Sequence, residues 1–180
     1  EHPSRHPLKT TLFAQSIALL ADESPVANWQ LEAVTTGLQQ LMLHSPSFAV
    51  ECLVAGEDCI KRFSSAPNRL PYGLRLVATA VYRDERRYDD FVRFVPTLVE
   101  TLRVCEASDR RLILKTLVGC HLVAKSHVEV LETLSALVLK ADGRAASHPL
   151  ALLDAIRDVA LDIDDPSELA EFKQRWIQKQ

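Results

Sequence analysis

Apolar residues along this chain recur at intervals of three and four, and nowhere with the sustained alternation of a half-buried strand. Leu74, Val77 and Val81 share one helical face, as do Leu169, Phe172 and Trp176. Proline falls where helices begin. Ser24-Pro25, Ser45-Pro46 and Asp165-Pro166 each read as a capping side chain followed by a first helical residue whose missing N–H costs nothing. The pattern predicts an all-α chain, with helices over 8–22, 25–43, 46–56, 57–64, 70–83, 85–106, 109–125, 127–141, 148–162 and 166–178. Pro96 is expected to kink or split the sixth. Residues 64–71 and 141–149 read as loops.

Two stretches are apolar on nearly every side. Residues 48–55 carry Phe48, Val50, Cys52, Leu53 and Val54; residues 112–124 carry Leu112, Ile113, Leu114, Leu117, Val118, Leu122 and Val123. Such helices call for cover on several sides, hence a layered pack of helices. Gly56 and Gly143 read as C-caps. Gly37, Gly73 and Gly119 fall inside predicted helices, where each costs about 1 kcal/mol relative to Ala. Close approach between helices is the expected compensation.

Val99-Glu100-Thr101-Leu102 is echoed by Leu131-Glu132-Thr133-Leu134, a displacement of 32 residues. Helix, turn, helix at a recurring period is the mark of stacked α-hairpins. The run Phe94-Val95-Pro96-Thr97-Leu98-Val99-Glu100-Thr101-Leu102, followed by Ser108-Asp109-Arg110-Arg111-Leu112-Ile113-Leu114, resembles a HEAT or armadillo repeat. The proline early in the first helix and the Asp before a basic residue and an apolar second helix carry the likeness. It covers 91–125 closely and 127–162 more loosely; the N-terminal third departs from it. The resemblance implies a right-handed α–α superhelix, a short solenoid of about 8–10 helices. Such a stack holds other macromolecules and carries over no catalytic residues.

At 180 residues, 47% apolar and 25% charged, the chain suits one helical-repeat domain over 1–180 that needs no staples. It does not begin with Met, which suggests excision from a longer protein. Net charge is −3 and the pI about 6.1, which argues against a general nucleic-acid binder. No run of 18 apolar residues suggests a membrane span, and Glu1 to Pro7 lacks a signal's apolar core. Cys52, Cys59, Cys105 and Cys120 are expected as reduced thiols, three of them within apolar helical runs. The expected home is intracellular, cytoplasmic or nuclear.

No arrangement spells out a reaction. Cys52 and Cys59 are seven apart, and the neighbours Cys120 and His121 point about 100° apart on a helix, so neither pair suits a metal. His2 and His6 lie in a polar terminus and are weak ligands at most. There is no G-x-S-x-G elbow and no Gly-rich phosphate loop. Asp162, Asp164 and Asp165 lack the spacing of a calcium loop and read as helix-capping residues. The expectation is a non-catalytic chain without metal or cofactor.

The most charged stretch, Tyr82 to Phe94, holds Arg83, Arg86, Arg87 and Arg93 against Asp84, Glu85, Asp89 and Asp90. Arg with Tyr is the composition of recognition hot spots. A solvated face laced with pairs such as Arg86–Asp89 and Arg86–Asp90 is the plainer reading. Arg83, Arg86, Arg87, Tyr88 and Arg93 are the candidate protein-binding residues, with Arg110 and Arg111 extending them if adjacent turns stack. The last helix, with Lys173, Arg175 and Lys179 at its end, reads as a terminal cap. A scaffold for a protein partner is the leading expectation. A nucleic-acid-binding repeat using Arg83, Arg86, Arg87, Arg110 and Arg111, or an all-α domain with a small-molecule pocket near His44 or His121, are the alternatives.

Overall fold

The computed structural model describes residues 7–139 and, beyond them, residues 167, 170 and 174; of residues 135–139 it describes the backbone alone. The described residues are helical and contain no strand. Seven helices run through them: α1 (Pro7–Ala21), α2 (Asn28–His44), α3 (Ala49–Lys61), α4 (Leu70–Arg83), α5 (Tyr88–Val104), α6 (Ala107–Leu122) and α7 (His127–Leu139). Short 3-10 turns over Pro46–Phe48, Pro67–Arg69 and Glu85–Arg87 lead directly into α3, α4 and α5. The expected helix over 148–162, the 141–149 loop, the Asp162–Asp165 junction and the terminal Leu169, Phe172, Trp176 stripe lie outside the described residues; of the expected helix over 166–178, residues 167, 170 and 174 are described and are helical.

The chain forms two compact units, Glu1–Thr101 and Leu102–Gln180, with the boundary inside α5. In the first unit α1 packs on α2 and α3 on α4, and the two pairs meet with α1 against α3 and α2 against α4. Phe13 stacks on Phe48 with ring centroids 4.5 Å apart. Leu31, Leu38, Met42, Cys52, Cys59, Leu74 and Val77 fill the space between the helices.

Two arginines tie off the open end of α1. A helix leaves its last four carbonyls without partners. Arg62 donates through Nη1 to the Ala21 carbonyl at 2.5 Å and through Nη2 to that of Leu20 at 3.2 Å. Arg69, only 2% exposed, donates through Nη2 to the carbonyls of Asp22 and Ser24. The segment so held is not helical, and α2 starts at Asn28 and not at Pro25. Its first turn is closed by Gln30, whose Oε1 accepts from the Ala27 N–H at 3.2 Å.

Gly56 does not end a helix. It lies inside a continuous α3, where its backbone meets that of Gly73 on α4. A Cβ at Gly56 would stand 2.7 Å from the Gly73 carbonyl oxygen, and one at Gly73 would stand 2.7 Å from Cys59 Cβ. The expected close approach is therefore real at Gly73, with Gly56 as its counterpart. It is not found at Gly37, which has nothing within 4 Å. Nor is α3 covered all round: Val50 and Val54 are 38% and 50% exposed. α5 runs unbroken through Pro96. Pro96 and Val92 are both exposed, so the carbonyl freed by the proline faces water.

In the second unit α6 packs on α7. Arg110, buried, donates to the carbonyls of Leu102 and Cys105 and so closes the end of α5. α7 opens on a reciprocal cap: the Ser126 N–H and hydroxyl donate to Glu129 Oε2 at 2.9 and 3.0 Å, and the Glu129 N–H donates back to Ser126 Oγ at 3.4 Å.

Candidate functional site: the arginine edge at the α4–α5 corner

The corner is built on Asp84. Its N–H closes α4 by donating to the Ala80 carbonyl at 3.2 Å. Its carboxylate, only 6% exposed, turns to cap the 3-10 turn by accepting from the Arg86 N–H at 3.3 Å. The same carboxylate takes the Arg86 guanidinium in two places, Nε on Oδ1 at 2.7 Å and Nη2 on Oδ2 at 3.2 Å. Arg87 Nε lies 3.4 Å from Oδ2. Hydrogen bonding from Arg86 holds the Asp84 carboxyl below its ordinary range and raises the Arg86 guanidinium above its own.

Asp90, in the first turn of α5, shares Arg87 with Asp84 and takes Arg93. Arg87 Nη1 donates to its Oδ2 at 3.1 Å, and Arg93 Nη1 lies 3.8 Å from its Oδ1. The expected pairs of Arg86 with Asp89 and Asp90 do not form. Arg86 sits in the 3-10 turn ahead of α5, so the helical spacing behind that expectation does not apply, and Asp84 two residues back is nearer. The open Arg93–Asp90 pair contributes at most about 1 kcal/mol, so it orients its guanidinium more than it stabilises the fold.

The structure thus brings Arg86, Arg87 and Arg93 onto one short edge, with Arg86 and Arg93 about four-fifths exposed. Arg83 is exposed at the end of α4. Tyr88 is half-buried, its ring 6.2 Å from Phe91, which in turn meets Phe94 at 6.0 Å, so the edge is anchored to core aromatics. Arg111 is exposed, whereas Arg110 is buried and spent on backbone carbonyls, so it offers no surface.

A second surface went unnoticed in the sequence. Trp29, at the start of α2, is 71% exposed. Its signal was its place on the helix, nearly opposite the buried Leu31, Thr35, Leu38 and Met42 row. Beside it a polar lattice joins α2 to α4: Arg75 Nη1 reaches both Glu32 oxygens at 2.7 Å, Nη2 reaches Gln39 Oε1 at 2.8 Å, and Gln39 Nε2 donates to Thr79 Oγ1 at 2.7 Å. The bond from Arg75 lowers the Glu32 carboxyl.

All four cysteines are free and buried. Burial pushes the Cys52 and Cys120 thiols up to about 12 and raises those of Cys59 and Cys105. His121 is 5% exposed, and burial lowers it to about 4. Among the described residues no three His, Cys, Asp or Glu side chains cluster to hold a metal ion. No described helix is long and apolar enough to cross a membrane. No family model matches the chain, and neither curated proteins nor solved structures give a match.

Proposed function

We propose that the chain is a short α-solenoid of the HEAT or armadillo kind that works as a non-catalytic scaffold and holds a protein partner along the Arg86–Arg93 edge. The observation that carries this is a repeated burial register. A displacement of 42 residues carries the buried Leu31, Thr35, Leu38 and Met42 of α2 onto Gly73, Val77, Ala80 and Asp84, every one buried. The same 42 carries Ala49, Cys52, Gly56 and Cys59 of α3 onto the buried Phe91, Phe94, Leu98 and Thr101 of α5. A displacement of 40 carries the seven buried positions of α4, from Leu70 to Val81, onto the seven of α6, from Arg110 to His121.

Any two amphipathic helices can be aligned at some register. The weight lies in the seven-for-seven match of α4 on α6 at 40, with a displacement of 42 also serving the other two pairs, inside the range of 40 to 47 expected of such repeats. The packing of α1 on α3 and α2 on α4, first helix on first and second on second, supports the same reading. The echo at 32 residues does not share that displacement, since α5 and α7 begin 39 apart, at Tyr88 and His127.

The edge supports a protein partner over nucleic acid because its arginines already face Asp84 and Asp90, which leaves little net positive field to displace counterions. Photo-crosslinking from position 93 in the cell of origin, with and without Arg86→Glu and Arg87→Glu together, tests the proposal. The expected result is a crosslinked protein lost on charge reversal. Crosslinking unchanged by the reversal removes the edge as the binding surface.

A further inference from the structure

Asp84 is held from both sides of its corner. Its N–H closes α4 on the Ala80 carbonyl, and its carboxylate caps the 3-10 turn ahead of α5. A side chain bonded to that carboxylate is therefore fixed relative to the backbone. Arg86 is bonded to it twice.

A guanidinium has two forks, one on its Nε side and one at its tip, and each matches the two oxygens of a carboxylate. Asp84 takes the Nε-side fork of Arg86, with Nε on Oδ1 at 2.7 Å and Nη2 on Oδ2 at 3.2 Å. The tip fork is left over. Nη1 has no bond and is not buried, and the side chain as a whole is about four-fifths exposed. An unheld surface arginine gives up rotamer freedom when it binds a partner; here the fold has already fixed the group. The neighbouring arginines differ. Asp84 and Asp90 take Arg87 from two sides. Arg93 reaches Asp90 only at 3.8 Å, and Arg83 makes no hydrogen bond or ion pair among the described residues, so neither is oriented.

The surroundings limit what the fork can seat. Glu85 and Asp89 are exposed within three residues of Arg86. A run of phosphates or of acidic side chains would meet like charge there, whereas a single carboxylate meets the fork alone. Tyr82 at the end of α4 and Val92 in α5 are exposed and add apolar area at the corner. We infer that the partner is a protein that binds this edge through one Asp or Glu side chain seated on the tip fork of Arg86, with Asp84 as the residue that positions the fork. This identification of the partner's chemistry rests on the edge proposed above.

The test adds Arg86→Lys and Asp84→Asn to the photo-crosslinking from position 93, with circular dichroism to check that each variant is folded. Lysine keeps the charge and loses both forks. The expected result is a crosslink weakened about tenfold in Arg86→Lys, with an Asp or Glu in the crosslinked partner peptide. Arg86→Glu should crosslink again when that partner residue is changed to Arg. Asp84→Asn should weaken the crosslink too, yet change nothing further in Arg86→Lys, which a merely structural effect would not spare. A crosslink lost on double reversal to Glu but unchanged in Arg86→Lys overturns the inference and leaves the edge standing as the binding surface. A crosslink unchanged by the double reversal removes the edge itself. A partner peptide without Asp or Glu, or a charge exchange that restores nothing, also overturns the inference, and an Asp84→Asn protein that crosslinks as the parent does removes the positioning role.

Discussion

Alanine in place of glycine is expected to act with opposite sign in two packed helices of the first unit. At Gly37, on the open side of α2, a methyl group meets nothing within 4 Å. The substitution removes the flexible residue's entropy cost and stabilises by about 0.5–1 kcal/mol. At Gly56 the same propensity gain of about 1 kcal/mol is opposed. The new Cβ falls 2.7 Å from the Gly73 carbonyl oxygen and 2.7 Å from Val77 Cγ2. A helix carbonyl cannot step aside, so α3 and α4 must separate by roughly 1 Å, a gap that forfeits a quarter to a half of each dispersion contact along the seam. Overpacking of this kind typically costs 1–3 kcal/mol. The α3–α4 seam is the most extensive in the unit, which places the cost at the upper end and the net loss at about 1–2 kcal/mol. Thermal unfolding followed by circular dichroism reads both. The melting temperature should rise by about 1–4 °C for Gly37→Ala and fall by about 2–8 °C for Gly56→Ala. A Gly56→Ala protein as stable as the parent would refute the close-packing argument.

Three further outcomes follow from buried groups. His121 is held neutral in the folded chain, at about 4 against an ordinary 6.5. Its lowered value means that its contribution is complete above pH 6.5 and is lost as pH falls toward 4, to a total of roughly 3 kcal/mol. Unfolding curves at stepped pH should show this, and His121→Leu should flatten the dependence over that window. Asp84→Ala removes the cap of the 3-10 turn and the anchor of Arg86 and Arg87, and should cost about 1–2 kcal/mol in denaturant titration; a neutral result would deny the carboxylate its organising role. The four buried thiols should resist a disulfide exchange reagent in the native chain and react together only on unfolding, and a fast native phase in absorbance would contradict the burial of Cys52 and Cys120.

Helix positions are legible where punctuation and periodicity agree, as at α4, whose Leu74, Val77 and Val81 face shows in the spacing alone. The misreadings trace to long-range contacts that leave no local mark. Gly56 reads as a C-cap because glycine often ends helices; only the arrival of Gly73 from α4 explains it inside one. Pro25 reads as a helix start, but Arg69 holds the Ser24 carbonyl just before it from 45 residues away, and α2 begins only at Asn28. Arg110 and Arg111 are alike in sequence, yet one is consumed by carbonyls at the end of α5 and the other faces solvent.

The repeat register is the claim on which the rest depends, and native-state hydrogen exchange of Gly56→Ala reads it most directly. In a stack whose repeats touch only their neighbours, a weakened seam lowers protection most in α3 and α4, less in α1 and α2, and least in α7. The account predicts that gradient. A uniform loss of protection from α1 to α7, as a single cooperative bundle would give, contradicts it.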